Sequence, residues 1–214
     1  MGKIINLDEE RRNPLDINIA DEETLRENVM DAVMNESNYS VVARSSDFIQ
    51  KNAPPIMEKC GIRFYVKVNT KNFNIYAKFT KKAVDTAIAN TIKNARIASL
   101  ADLLSNMENN DRLALSTLDE WEPEDGMFYC LTNTTAEDGA GVIAFDEVLK
   151  KVYSKCGAFY LVPSSIHEVM IVPEKENFEI DMLKEMLQEI NYAVVLPKDQ
   201  LSDQVLYYDG KSLK

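Results

Sequence analysis

The chain has 214 residues, 45% of them hydrophobic and 28% charged, and carries a formal net charge of −11. Those totals exclude wholesale disorder and describe a globular chain long enough to bury a core without disulfide or metal staples. An acidic balance of this size also repels duplex nucleic acid on average.

Residues 1–20 read as irregular, with Pro14 among scattered apolar positions. A helix is predicted from near Asp21, because Glu22 and Glu23 suit the positive end of a helix dipole and Leu25, Val29 and Val33 recur every four residues. Tyr39 to Ala43 is a short candidate strand, and Pro54-Pro55 interrupts the stretch after Phe48. Arg63 to Val68 alternates, Phe64, Val66 and Val68 against Arg63, Tyr65 and Lys67, as a half-buried strand does. Residues 73–79 fit two patterns: Phe73, Ile75, Ala77 and Phe79 alternate, while Phe73, Tyr76 and Phe79 suit a short helix. Thr80 is a good N-cap for a helix carrying Ala83, Val84, Ala87, Ile88 and Ile92 inward. A short helix is expected at Leu100 to Met107, then a polar, acidic connection over 108–126.

Met127 to Leu131 is read as a strand, Asn133 to Gly141 as a turn region, and Gly141 to Phe145 as the return strand. Asp146 is read as the cap of a helix with Val148, Leu149, Val152 and Tyr153 inward, and Gly157 ends it. Phe159 to Val162 and Val169 to Val172 are apolar strands on either side of Pro163-Ser164-Ser165-Ile166-His167. Ile180, Leu183, Leu187 and Ile190 mark a further amphipathic helix; Ala193 to Leu196 and Val205 to Tyr208 are candidate edge strands. The reading is an α+β fold, an antiparallel sheet with helices on one face and a C-terminal β-β-α-β-β-α unit. Residues 1–58 are expected as an N-terminal extension with one helix, 59–126 as a basic region plus acidic connection, and 127–214 as the C-terminal unit; 59–214 reads as one domain.

Leu131-Thr132-Asn133, Gly139-Ala140-Gly141 and Pro163-Ser164-Ser165-Ile166-His167-Glu168-Val169 carry a resemblance. Residues 62–209 resemble a family of uncharacterised bacterial proteins of gut clostridia, a domain of unknown function with an LTN…GA…LPSSxHEV run. Leu201-Ser202-Asp203-Gln204-Val205 is similar to that family's ending. The resemblance implies no activity. It does imply a short helix at 71–77, against the alternation.

Four chemistries have candidate residues. Ser164, Ser165, His167 and Glu168 lie within five positions, and a histidine can serve a serine as general base with a carboxylate orienting it. In a strand, however, Glu168 faces away from Ser165 and His167, and no G-x-S-x-G elbow is present. The competing reading is a turn whose serine hydroxyls cap backbone amides. Glu120, Glu122 and Glu124 flank Trp121 in an acidic stretch without EF-hand spacing, and Cys60, Cys130 and Cys156 are too scattered for zinc, so no metal and no cofactor is expected. Residues 59–100 are +8, and Arg63 and Lys67 beside Tyr65 and Tyr76 would suit single-stranded nucleic acid. Residues 101–125 are −7 and suit docking on a basic protein, as a small inhibitor from a mobile element does. The sequence lacks the apolar stretch of a secretory signal and any run of the ~18–20 apolar residues that span a bilayer, so a cytoplasmic setting is expected. The favoured expectation is a non-enzymatic module docking on a protein partner. A Ser165/His167 hydrolase and a single-strand binder are the alternatives.

Overall fold

Two antiparallel sheets carry the chain in a computed structural model that describes residues 6–7, 22–70, 73–102, 115–176 and 178–214. The first sheet holds β1 (Asn6–Leu7), β2 (Tyr39–Arg44), β3 (Met57–Lys59), β4 (Ile62–Asn69) and β5 (Asn74–Tyr76). Its order is β1-β5-β4-β2, with β3 also on β4. The second sheet has the order β11-β9-β10-β8-β6-β7. Its strands are β6 (Ala95–Ser99), β7 (Ser116–Thr117), β8 (Tyr129–Asn133), β9 (Phe159–Val162), β10 (Val169–Pro173) and β11 (Leu206–Tyr208). The helices are α1 (Glu22–Met34), α2 (Lys81–Lys93), α3 (Asp146–Cys156) and α4 (Ile180–Ala193). The α+β class with antiparallel sheets stands.

β4 is the centre of the first sheet. It pairs with β2 from Arg63 to Val68 and with β3 and β5 along its other edge. The β3–β4 loop is Cys60-Gly61, both at positive φ (50° and 74°), the conformation a two-residue hairpin of matching twist needs. Residues 39–44, read from sequence as part of the N-terminal extension, thus supply an edge strand. Thr91 of α2 accepts the Val41 N–H at 2.8 Å and donates to Ala87 O, and Asn90 Nδ2 donates to Tyr39 O at 3.0 Å. The helix therefore covers an edge that would otherwise offer open amides.

The main core lies between the sheets. Val41, Phe64 and Val66 meet Ile97, Leu131, Leu161 and Ile171, with Val148, Leu149 and Val152 of α3 among them. The opposite face of the second sheet is covered by Leu183 and Leu187 of α4, packed on Val162, Met170 and Val172. Burying two leucines contributes roughly 3–6 kcal/mol, enough to hold a 14-residue helix whose own propensity is marginal. α3 and α4 therefore take opposite faces, not one: Phe159 and Leu161 on β9 point to one layer and Val162 to the other.

Four further expectations change. Gly141 to Phe145 is not a return strand but part of a buried 3-10 helix, Gly139–Ala144. Its unbroken apolar run has no period of its own, and neighbouring backbone decides its shape. Residues 74–76 are strand, so the helix expected at 71–77 does not form there; hairpin pairing of Lys67 with Tyr76 and Asn69 with Asn74 wins. Ala193 to Leu196 is the end of α4 and a turn, since the N–H groups of Val194 and Val195 both donate to Ile190 O. β4 is covered on both faces instead of half-buried: Tyr65 and Tyr76 form a third cluster with Val42 and Ala53, under Phe48. The helix expected at Leu100 to Met107 and the connection at 108–126 reach into 103–114, outside the described residues.

Candidate functional site

The loop after β8 turns at Asp138, which sits in the left-handed region at φ 51° with 2% of its surface exposed. Its carboxylate reaches back into the first sheet. Lys67 Nζ donates to Asp138 Oδ2 at 2.5 Å, and Arg44 Nη1 lies 3.1 Å from Oδ1. Arg44 also donates to Tyr76 Oη at 2.6 Å and lies over the Phe48 and Tyr76 rings. Ions this deep lose most of their hydration, and mutual pairing with full hydrogen bonding is what makes them tolerable.

The segments that carry the sequence signature close on one another here. His167 O accepts from Thr132 Oγ1 at 2.7 Å and from the Gly139 N–H at 3.0 Å. Ile166 O accepts the Ala140 N–H at 3.1 Å. A Cβ on Gly139 would fall 2.2 Å from Thr132 Oγ1, and one on Gly141 would fall 2.0 Å from Val41 O. Both glycines are there so that backbones can touch.

Ser165, His167 and Glu168 are engaged in the same junction. Ser165 Oγ accepts the backbone N–H of His167 at 3.0 Å. The ring accepts the Asp138 N–H on Nδ1 at 3.1 Å, which puts the proton of the neutral imidazole on Nε2, 3.7 Å from Asp199 Oδ1. Burial raises the Glu168 carboxyl, against the lowering pull of His167 and of a hydrogen bond from Ser165. Ser164 and Ser165 are 8% and 3% exposed. The serine thus meets the histidine's backbone, and the ring faces two other partners, which is the arrangement of a hydrogen-bonded turn.

The other predicted residues fall elsewhere. Arg63 pairs with Glu58 at 3.1 Å and donates to Ser46 O, while Lys67 is buried against Asp138; the two do not form an open basic face. Trp121 is 5% exposed, edge-on to Tyr129 with ring centroids 4.8 Å apart. Lys155 of α3 holds the loop around it, donating to Asp119 O and Trp121 O and pairing with Glu122 at 2.9 Å. Glu120 accepts from Thr117 Oγ1, and the Glu124 N–H donates to Tyr129 Oη. Lysines have largely answered the acidic loop from within the chain. Among the described residues no group of three His, Cys, Asp or Glu side chains is placed to hold a metal ion. None of their helices is long and apolar enough to cross a membrane.

Two features escaped the sequence reading. A polar cleft of about 460 Å³ opens beside the Lys67–Asp138 pair, between the β4–β5 turn, the end of α2 and the β8 loop. Tyr192, Val194 and Leu196 stand out at the end of α4. The second had a signal, a β-branched run directly after a strong helical period; the first had none, because its walls come from four separate segments.

These are the features of an α+β protein whose signature residues join its two sheets. Residues 57–210 match a family of unknown function, DUF5688, and the chain belongs to that family. No curated protein and no solved structure matches it.

Proposed function

We propose that this is a non-enzymatic binding module that docks on a protein partner through the end of α4. The observation that supports it is the exposure of Tyr192 (94%), Val194 (75%) and Leu196 (60%) within five residues. Single exposed apolar side chains are ordinary, but a cluster is a presented surface. The segment is also pre-organised. Ile190 O accepts two turn N–H groups, and Gln200 Nε2 donates to Asn191 O and Val195 O. Little ordering entropy remains to be lost on docking, and a rigid tyrosine is a favoured interface anchor.

The flank of the same helix defines the partner. Asp181, Glu185 and Glu189 are exposed against Lys184 alone, so the complementary surface is an apolar pocket rimmed by Lys and Arg. The acidic block at 101–125, read from sequence as suited to docking, supports it less well in its described part, where Lys151 and Lys155 of α3 pair with Asp119 and Glu122.

The test compares the full chain with a Tyr192→Ser, Val194→Ser, Leu196→Ser variant in capture from source-cell lysate. The expected result is a basic polypeptide held by the wild type, released as salt rises, and lost from a variant with unchanged melting. Undiminished capture by the variant, or no capture by either chain, overturns the reading. Patch-dependent self-association on light scattering would give the surface to a second copy instead.

A further inference from the structure

We infer that His167 is a proton-operated latch between the loop after β8 and the turn after α4: the neutral ring holds the Asp138 amide, and the protonated ring releases it in favour of Asp199. This latch acts at the junction of the sheets and is independent of docking at the α4 patch.

His167 is the only histidine in the chain, and imidazole is the side chain whose charge ordinarily changes between about pH 5 and 8. Its side chain keeps 26% of its exposure, so protons from solvent reach the ring. Nδ1 accepts the Asp138 N–H at 3.1 Å. A backbone amide only donates, and a protonated imidazole has N–H donors on both nitrogens and no acceptor. Protonation at Nδ1 therefore sets donor against donor and breaks this bond. The backbone of His167 stays tied, its N–H to Ser165 Oγ and its carbonyl to Thr132 Oγ1 and the Gly139 N–H. The ring is the part left to turn, and the amide it drops belongs to the residue at φ 51° whose carboxylate pairs with Lys67 and Arg44.

The other side of the ring supplies the new partner. Asp199 Oδ1 lies 3.7 Å from Nε2, too far for a hydrogen bond to the neutral ring but close enough to attract an imidazolium. Glu168 also attracts the charged ring, while Lys67 and Arg44 face it from behind Asp138 and Glu137 precedes Asp138 in the loop. Asp199 is itself fixed by backbone, its N–H donating to Leu196 O at 2.8 Å and its carbonyl accepting the Ile166 N–H at 2.9 Å. A proton thus passes the hold of the ring from the β8 loop to the turn behind Leu196.

The test is NMR on the full chain from about pH 8 to pH 5. Long-range nitrogen spectra are expected to show the neutral ring with its proton on Nε2; a neutral ring protonated on Nδ1 overturns the latch whatever the variants do. Protection of the Asp138 amide from hydrogen exchange, taken relative to unstructured chain, should fall roughly tenfold as the ring titrates, the worth of one hydrogen bond. Protection of Leu187 in α4 should hold over the same range, and an equal fall there would mark general loosening and overturn the latch. His167→Asn keeps an acceptor near the Nδ1 position without titrating, so its Asp138 protection should stay flat, whereas Glu168→Gln should keep the wild-type fall. Flat Asp138 protection in the wild type, a fall that persists in His167→Asn, or a fall abolished by Glu168→Gln would each refute the assignment.

Discussion

Lys67 on β4 and Asp138 after β8 lie 71 positions apart in the chain and form a 2.5 Å ion pair whose side chains retain 6% and 2% of their exposure. The pair ties the first sheet to the loop that carries the signature glycines. Removing the carboxylate would take a shared counter-ion from two buried cations, Lys67 and Arg44. Asp138→Ala is expected to cost about 3–5 kcal/mol, the range for breaking a buried pair from one side. Lys67→Met should cost less, since Arg44 still neutralises Asp138. Urea unfolding of the three proteins checks the order; equal stability of Asp138→Ala and wild type would refute it.

Gly141 packs its α-carbon against β2, where an added Cβ would sit 2.0 Å from Val41 O. Backbone cannot yield as a side-chain tip can, so Gly141→Ala should destabilise at or beyond the upper end of the ~1–3 kcal/mol typical of overpacking. Gly61 offers the contrast. It has positive φ (74°) but open space around it, so Gly61→Ala is expected to cost only about 1 kcal/mol of backbone strain. Similar costs at the two sites would show that contact at Gly141 is not what matters.

Glu168 gives a pH signature. Burial lifts its carboxyl above the ordinary value, so the folded protein holds that proton more tightly than the unfolded chain. The associated stability is complete below the unfolded pKa of about 4.3 and is lost as pH rises through the folded one. Glu168→Gln, which keeps an acceptor for Ser165, should therefore melt higher than wild type at neutral pH, with the advantage fading in acid. A difference that does not change with pH would refute this account.

The cysteines should separate by reactivity. Burial pushes the Cys130 thiol up to about 12, with the Glu168 carboxylate adding to it, and the Cys156 thiol up to about 11. Cys60, half-buried at the β3–β4 turn, is raised as well but keeps partial access. Iodoacetamide on the native protein is expected to modify Cys60 alone, with all three thiols reacting after denaturation. Native labelling of Cys130 would show that its layer opens.

Local pattern was enough for the elements whose period is strong. Thr80 caps α2 by accepting the Ala83 N–H, Gly157 ends α3 at positive φ, and the alternation in 63–68 and the apolar runs in 159–162 and 169–172 became strands. The turn role of Ser165 was also legible, because a serine two residues before an amide can cap it without distant help. Residues 139–144 were not legible, since their shape depends on Val41 beyond their own sequence window, whereas 73–79 carried a strand's alternation beside a helical pattern, and pairing with Lys67 to Asn69 decides between the two.

The sequence by itself determined the α+β class and the periodic elements, because hydrophobic period and capping act within a few residues. Tertiary structure alone decided that Lys67 is buried against Asp138, that Trp121 is core, and that Asn69, Asn74 and Asn94 share one cleft. Burial and pairing at those positions are set by segments dozens of residues away, and no local pattern records which of them will meet.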